Sequence, residues 1–289
     1  MKNLLPVCLV LLLIPGLSGQ SLSSAQSLSN GLRITVEERD GELAILSSQG
    51  TVRELVIPGF INGMPVTAVG SGAFTGRGLA SVTIPDSVTS IGDQAFSFNE
   101  ITVLTIGNNV VSIGQKAFFC NKIEKLILGE SVNEIGMGAF AQNNLTEIII
   151  PENVNVIGSY AFFMNRLRIL NIPGNVSNIG EGAFSTNRLH TLVIQDGVRE
   201  IGDGAFYNNQ LTGITLPESV AQLGKRVFES RTTLRGSQPP VDYLNANGEI
   251  LYTTSNNFDT FYTFNGKKPG KYSFRRNGWE FEGLDDEQE

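Results

Sequence analysis

The chain has 289 residues, a net charge of −7 and a single histidine. That balance argues against a nucleic-acid surface, which needs dense cationic character, and one histidine rules out a histidine metal cluster. Of its two cysteines, Cys8 lies in an apolar leader, which leaves Cys120 without an intramolecular disulfide partner once the leader is removed.

Met1-Lys2-Asn3 and the apolar run Leu4–Leu17, followed by Ser18-Gly19, predict a secretory signal peptide over residues 1–19. Cleavage after Gly19 is preferred, with a site near Ala25 as the alternative. The run is too short for a membrane span, which needs about 20 residues, and no later segment is apolar enough to cross a bilayer. Residues 20–30 are rich in serine and glutamine and predict a loose leader. Leu32–Val36 and Glu42–Leu46 then alternate on either side of Asp40-Gly41, a hairpin signal. This hairpin is expected to cap the N-terminal end of a repeat stack, so that residues 20–53 form one leader-and-cap unit. Phe60-Ile61-Asn62-Gly63-Met64-Pro65 makes the first coil five residues longer than the rest and reads as a bulging loop.

From there the chain copies itself. Phenylalanine recurs every 22 residues, at Phe74, Phe96, Phe118, Phe140, Phe162, Phe184, Phe206 and Phe228. A glycine stands four residues before each, from Gly70 to Gly224, and an aliphatic residue precedes each glycine. Asparagine follows three residues after most of them, at Asn99, Asn121, Asn143, Asn165, Asn187 and Asn209. Two residues later an L-x-x-L-x-I pattern begins, as in Leu167, Leu170 and Ile172, and then a turn with proline or glycine and a V-x-x-I-G stretch. A fixed period of this length marks stacked units that cannot bury their apolar face alone. The expectation over residues 54–236 is a mostly β solenoid of about eight 22-residue coils, with L-x-x-L-x-I as its parallel strands. The phenylalanines would form an internal column, and the asparagines a hydrogen-bonded ladder at the turns.

Past Phe228 the pattern fails, with Arg231 where asparagine belongs and Thr233 where leucine belongs. Residues 237–289 read as a small aromatic β unit, with turns at Asn247-Gly248, Asn265-Gly266, Pro269-Gly270 and Asn277-Gly278, ending in a solvated acidic tail at 285–289.

The repeat unit resembles the BspA-like, or treponemal-type, leucine-rich repeat, L-x-x-L-x-I-P-x-x-V-x-x-I-G-x-x-A-F-x-x-N/C. It is visible in Leu145, Ile148, Ile150-Pro151, Val154, Ile157-Gly158 and Ala161-Phe162. The segment Asn265–Phe274, with Trp279 after it, looks like the C-terminal appendage of some spirochaete members. The resemblance implies a bacterial or protist protein that is secreted, periplasmic or at the cell surface, acting in adhesion to host matrix proteins or other microbes. A structural or assembly role in the cell envelope is the alternative.

Nothing in the residues points to catalysis, a cofactor or a metal. His190 falls at an outward sheet position, Cys120 at a position that tolerates many residue types, and no G-x-S-x-G elbow is present. The basic cluster Lys267, Lys268, Lys271, Arg275 and Arg276 reads as a solvated turn. The candidate site is instead the outer face of the L-x-x-L-x-I strands. Its outward positions carry Val103, Ile127, Ile149, Ile169 and Val193, more apolar than a solvated sheet face needs. A protein ligand is the partner these residues suggest. The preference of strands for β-branched residues and cover by a neighbouring layer are the competing explanations.

Overall fold

The computed structural model describes residues 22–28, 31–211 and 214–228, and the strands at 242–245, 250–253, 260–262, 270–275 and 278–283. Every regular element among them is a β-strand. No helix there is long and apolar enough to cross a membrane.

Each coil closes around its phenylalanine. Phe74 to Phe206 are fully buried and Phe228 nearly so. Their rings stack coil upon coil, with centroids 5.1 to 5.6 Å apart and planes within 13°. Alanine precedes each ring from Phe74 to Phe206 and Val227 precedes Phe228, and at this corner the backbones of successive coils meet. Phe96 N–H donates to Ala117 O and Phe118 N–H to Ala139 O, at 2.7 and 2.8 Å. On either side of this corner the chain enters the left-handed region, as at Lys116 (φ 52°) and Cys120 (φ 54°), Tyr160 (φ 58°) and Met164 (φ 53°). Those two bends let so short a segment wrap a phenylalanine.

The asparagines form the second internal column. Asn143 Nδ2 donates to Phe118 O and Phe140 O, both at 3.0 Å, and Oδ1 accepts from Ile123 N–H at 3.0 Å. One amide therefore ties its own coil to the one before it. The same bonds recur at Asn121, Asn165, Asn187 and Asn209.

The sheet that runs through the molecule is not the expected one. The two-residue strands of the V-x-x-I-G stretch, from Ser90–Ile91 to Gln222–Leu223, pair in parallel as one continuous ladder. Bonds such as Gly114 N–H to Ile91 O, 2.8 Å, extend it by a residue. The L-x-x-L-x-I row is interrupted. Glu54–Val56, Ser81–Ile84, Val103–Ile106 and Lys125–Ile127 pair in one group, and Ile169–Ile172 with Thr191–Ile194 in another. Between the groups, pairing survives at the start of the coil, where Asn144 N–H donates to Ile123 O and Arg166 N–H to Leu145 O. Among the described residues none is found from Glu147 to Ile150. Proline removes one bond at the end of the row but does not by itself interrupt it. The residue after the row donates its N–H back to the previous coil at Gln195, which bonds Ile172 O at 3.0 Å. Pro151 and Pro173 occupy that position on both sides of the gap and have no N–H to give, but so does Pro85, whose strand Ser81–Ile84 pairs with both neighbours.

The N-terminal end also departs from expectation. Strand β1 (Leu22–Ser27) lies in the segment read as a loose leader and pairs antiparallel with β2 (Arg33–Arg39), which pairs with β3 (Glu42–Gln49) across Asp40-Gly41. The alternation Leu22, Ser24, Gln26 is too polar on both faces to mark a strand, and the partner strand's backbone supplies what its side chains do not. After β4 (Glu54–Val56), the expected bulging loop is itself a hairpin. Strand β5 (Phe60–Ile61) pairs with β6 (Met64–Val69), and Asn62 (φ 51°) and Gly63 (φ 82°) form the turn. Asn-Gly between apolar residues is the sequence signal for this turn. Strand β6 then pairs in parallel with both β3 and Ser90–Ile91, joining the cap to the continuous ladder.

At the other end Thr215–Leu216 pairs in parallel with Leu244–Asn245, where a further coil would sit, and the remaining strands pair antiparallel. Lys267, Lys268 and the Asn265-Gly266 and Pro269 turn residues lie outside the described residues.

Candidate protein-binding face

Alternation along the L-x-x-L-x-I row buries the first, fourth and sixth residues and turns the others outward. Leu104, Leu170 and Ile172 are buried, whereas Val103, Ile127, Ile169 and Val193 are roughly half exposed and Ile149 is 86% exposed. No layer among the described residues covers them. Register places Val103 beside Lys125, Ile127 beside Thr105, Ile169 beside Thr191 and Val193 beside Asn171. The five residues therefore occupy two columns, interleaved with polar side chains. Their centre is the gap in the row, where Ile149 protrudes and Leu126 and Leu128, equivalent to the buried Leu104 and Ile106, are only partly covered.

Exposed aromatic pairs also lie on the turns near Phe96, Phe118 and Phe162, and sequence reasoning missed them. Phe98 is 55% exposed and meets Phe119 edge-on at 5.4 Å, while Tyr160 meets Phe163 the same way at 5.8 Å. Lys116 Nζ stands 5.8 Å above the Phe119 ring. Large residues at positions where other copies carry Gly76, Gly138 or Gly182 were the available signal. The Tyr160 hydroxyl donates to the Glu181 carboxylate. That bond, then burial and the nearby charges of Glu181 and Asp203, hold its pKa above the ordinary tyrosine value.

Chemistry-bearing groups are dispersed. His190 is exposed and shares a 3.0 Å hydrogen bond with Thr191 Oγ1. Cys120 is half-buried as a free thiol. The buried Ser48 and Ser185 hydroxyls donate to the Ala73 and Gly182 carbonyls. Among the described residues no three His, Cys, Asp or Glu side chains gather as a metal site would require. The described residues include a shallow depression of about 490 Å³ lined by polar residues around Asn175 and Arg199, and another of about 540 Å³ between Leu28, Val56 and Phe60.

The fold has counterparts among solved structures. A leucine rich repeat protein of T. pallidum, TpLRR, aligns with a TM-score of 0.51 at 20% identity, over 73% of this chain and 89% of that one. A leucine rich cell surface protein of Faecalibacterium prausnitzii aligns at 22% identity over 70% and 72%, with a TM-score of 0.43. The pneumococcal vaccine antigen PcpA aligns at 19% identity over 84% of this chain and 55% of that one, with a TM-score of 0.41. No curated protein matches the chain. The sequence pattern of the BspA type leucine rich repeat region matches in six copies, over residues 56–168, 119–235 and 156–277. With that pattern spanning most of its length, the chain belongs to the BspA type leucine rich repeat family.

Proposed function

We propose that this is an exported, non-enzymatic adhesion scaffold that holds a protein ligand, of host matrix or of another cell, on the outer face of its L-x-x-L-x-I row. One observation carries the reading: Val103, Ile127, Ile149, Ile169 and Val193 leave large apolar side chains uncovered on one face of a rigid stack. Scattered surface apolars are ordinary, but a set gathered on one face suits a partner. The predicted signal peptide and the family's surface location supply the compartment.

Binding energy at such faces concentrates in a few central apolar residues. Ile127, Ile149 and Ile169 are the central three, within about 10 Å along the stack at strand spacing. Changing them together to threonine keeps β propensity and removes apolar surface. Circular dichroism and melting of the variant should match wild type, while binding to immobilised matrix proteins should fall to background. Charge reversal at Lys267, Lys268 and Lys271 should leave that binding intact. A folded triple-threonine variant that still binds as wild type does would overturn the proposal and shift attention to the aromatic pairs on the turns.

A further inference from the structure

The solenoid gathers a cationic cluster that no stretch of the sequence displays. Arg166-Leu167-Arg168 and Arg188-Leu189-His190 occupy the same phase of successive coils. In each, the central leucine is fully buried and its two neighbours are exposed. Backbone bonds fix the stacking: Arg188 N–H donates to Leu167 O at 2.9 Å, and His190 N–H to Arg168 O at 3.0 Å. Arg166 thus lies below Arg188, and Arg168 below His190. The four corners are about 5 Å apart along the stack and about 7 Å apart along the chain by strand geometry.

No carboxylate among the described residues pairs with this cluster. Among the described residues the ion pairs join Glu100 to Arg53 and to Lys122, at 3.5 and 3.6 Å. The coil below presents Asn144 and Thr146 at these phases, and the coil above presents Gln210. Three permanent charges without an ion pair among the described residues, on a protein of net charge −7, form a local reversal of sign. The cluster borders the apolar face directly, because Ile169 follows Arg168 and Ile149 lies one coil away.

We infer that this corner receives an extended acidic segment of a partner protein, its carboxylates on Arg166, Arg168 and Arg188 and an apolar side chain on Ile169. Guanidinium groups take carboxylates through paired, charge-assisted hydrogen bonds. An extended peptide presents alternate side chains at the same interval of about 7 Å that separates Arg166 from Arg168. A long polyanion such as a nucleic acid or sulfated glycan fits less well. It needs a continuous cationic track, whereas this cluster spans two coils and is flanked by Glu147, Ile149 and Val193. The inference rests on the protein-binding reading of the same face and specifies the partner's chemistry.

The test measures fluorescence anisotropy of two labelled decapeptides on the full chain, one alternating glutamate with valine and one alternating glutamate with serine, beside a heparin decasaccharide. The glutamate–valine peptide should bind best, and more weakly as salt is raised. Arg166→Gln, Arg168→Gln and Arg188→Gln together should weaken it at least about tenfold, with the matching lysine variant intermediate. All six changes are at exposed side chains, and melting curves check that the fold is kept. Absence of peptide binding, wild-type affinity in the glutamine variant, or tighter heparin binding that those substitutions abolish would each overturn the inference. Loss in the glutamine variant with full binding by the triple-threonine variant supports the acidic site while removing the apolar face. The opposite pattern keeps the face and removes the acidic site.

Discussion

Asn143 illustrates how much of this fold rests on single side chains. Its amide is 5% exposed, faces two phenylalanine carbonyls with its nitrogen and accepts from Ile123 N–H with its oxygen. Removing the side chain leaves the buried Ile123 N–H without an acceptor, whereas Phe118 O and Phe140 O keep the amides of Asn121 and Asn165. At about 1–3 kcal/mol for one unsatisfied group, Asn143→Ala should cost about that much. Asn143→Asp should cost at least as much at neutral pH, because an acceptor then faces the carbonyls of Phe118 and Phe140. Urea unfolding of both variants checks this, and a loss below about 1 kcal/mol would show that water replaces the amide. The neighbouring Phe140 ring, stacked on both sides, was legible as a buried column because volume and period mark it together. The left-handed bends at Cys120, Met164 and Tyr160 were not, since nothing but a glycine in a sister copy betrays them.

Among the elements, the short V-x-x-I-G strand carries the continuous ladder although it spans only two residues per coil. Pattern reading favours long alternating runs, so L-x-x-L-x-I drew the strand assignment. The prolines that end several of its copies were visible, but the gap at residues 147–150 does not follow from them, because Pro85 ends a strand that pairs on both sides. Glycine makes the short row possible. A Cβ at Gly158 would stand 2.8 Å from Gly136 C and from Met137 N, both backbone atoms of the coil below. Gly158→Ala should therefore push two coils apart, at a cost of about 1–3 kcal/mol for overpacking. Gly59→Ala is the control, because its Cβ would meet the Ser87 hydroxyl at 3.6 Å, an ordinary contact. Thermal melts in which the two variants lose equal stability would contradict the close-approach explanation.

At the scale of the whole molecule, neighbouring coils supply nearly all of one another's buried surface, so both the binding face and the integrity of the stack depend on its ends. The apolar face was legible because alternation alone turns Ile127 and Ile149 outward. The arginine cluster was not, because basic density was sought along the chain, whereas Arg166 and Arg188 meet only across a 22-residue period. The N-terminal cap shows what the end of the stack requires. Ile34, Val36, Leu43 and Ile45 are at most 2% exposed and continue the core, Gly70 N–H donates to Ile45 O at 2.7 Å, and the buried Ser48 hydroxyl donates to Ala73 O at 2.7 Å. Deleting residues 22–49 would strip β6 of its partner strand and bare Val66, Val69 and the open face of Phe74. A naked strand edge over an apolar core recruits further strands. The truncated protein should form larger species in light scattering and melt at a lower temperature than the full chain. A monomer with an unchanged melting point would mean that β1 to β3 ride on the solenoid without closing it.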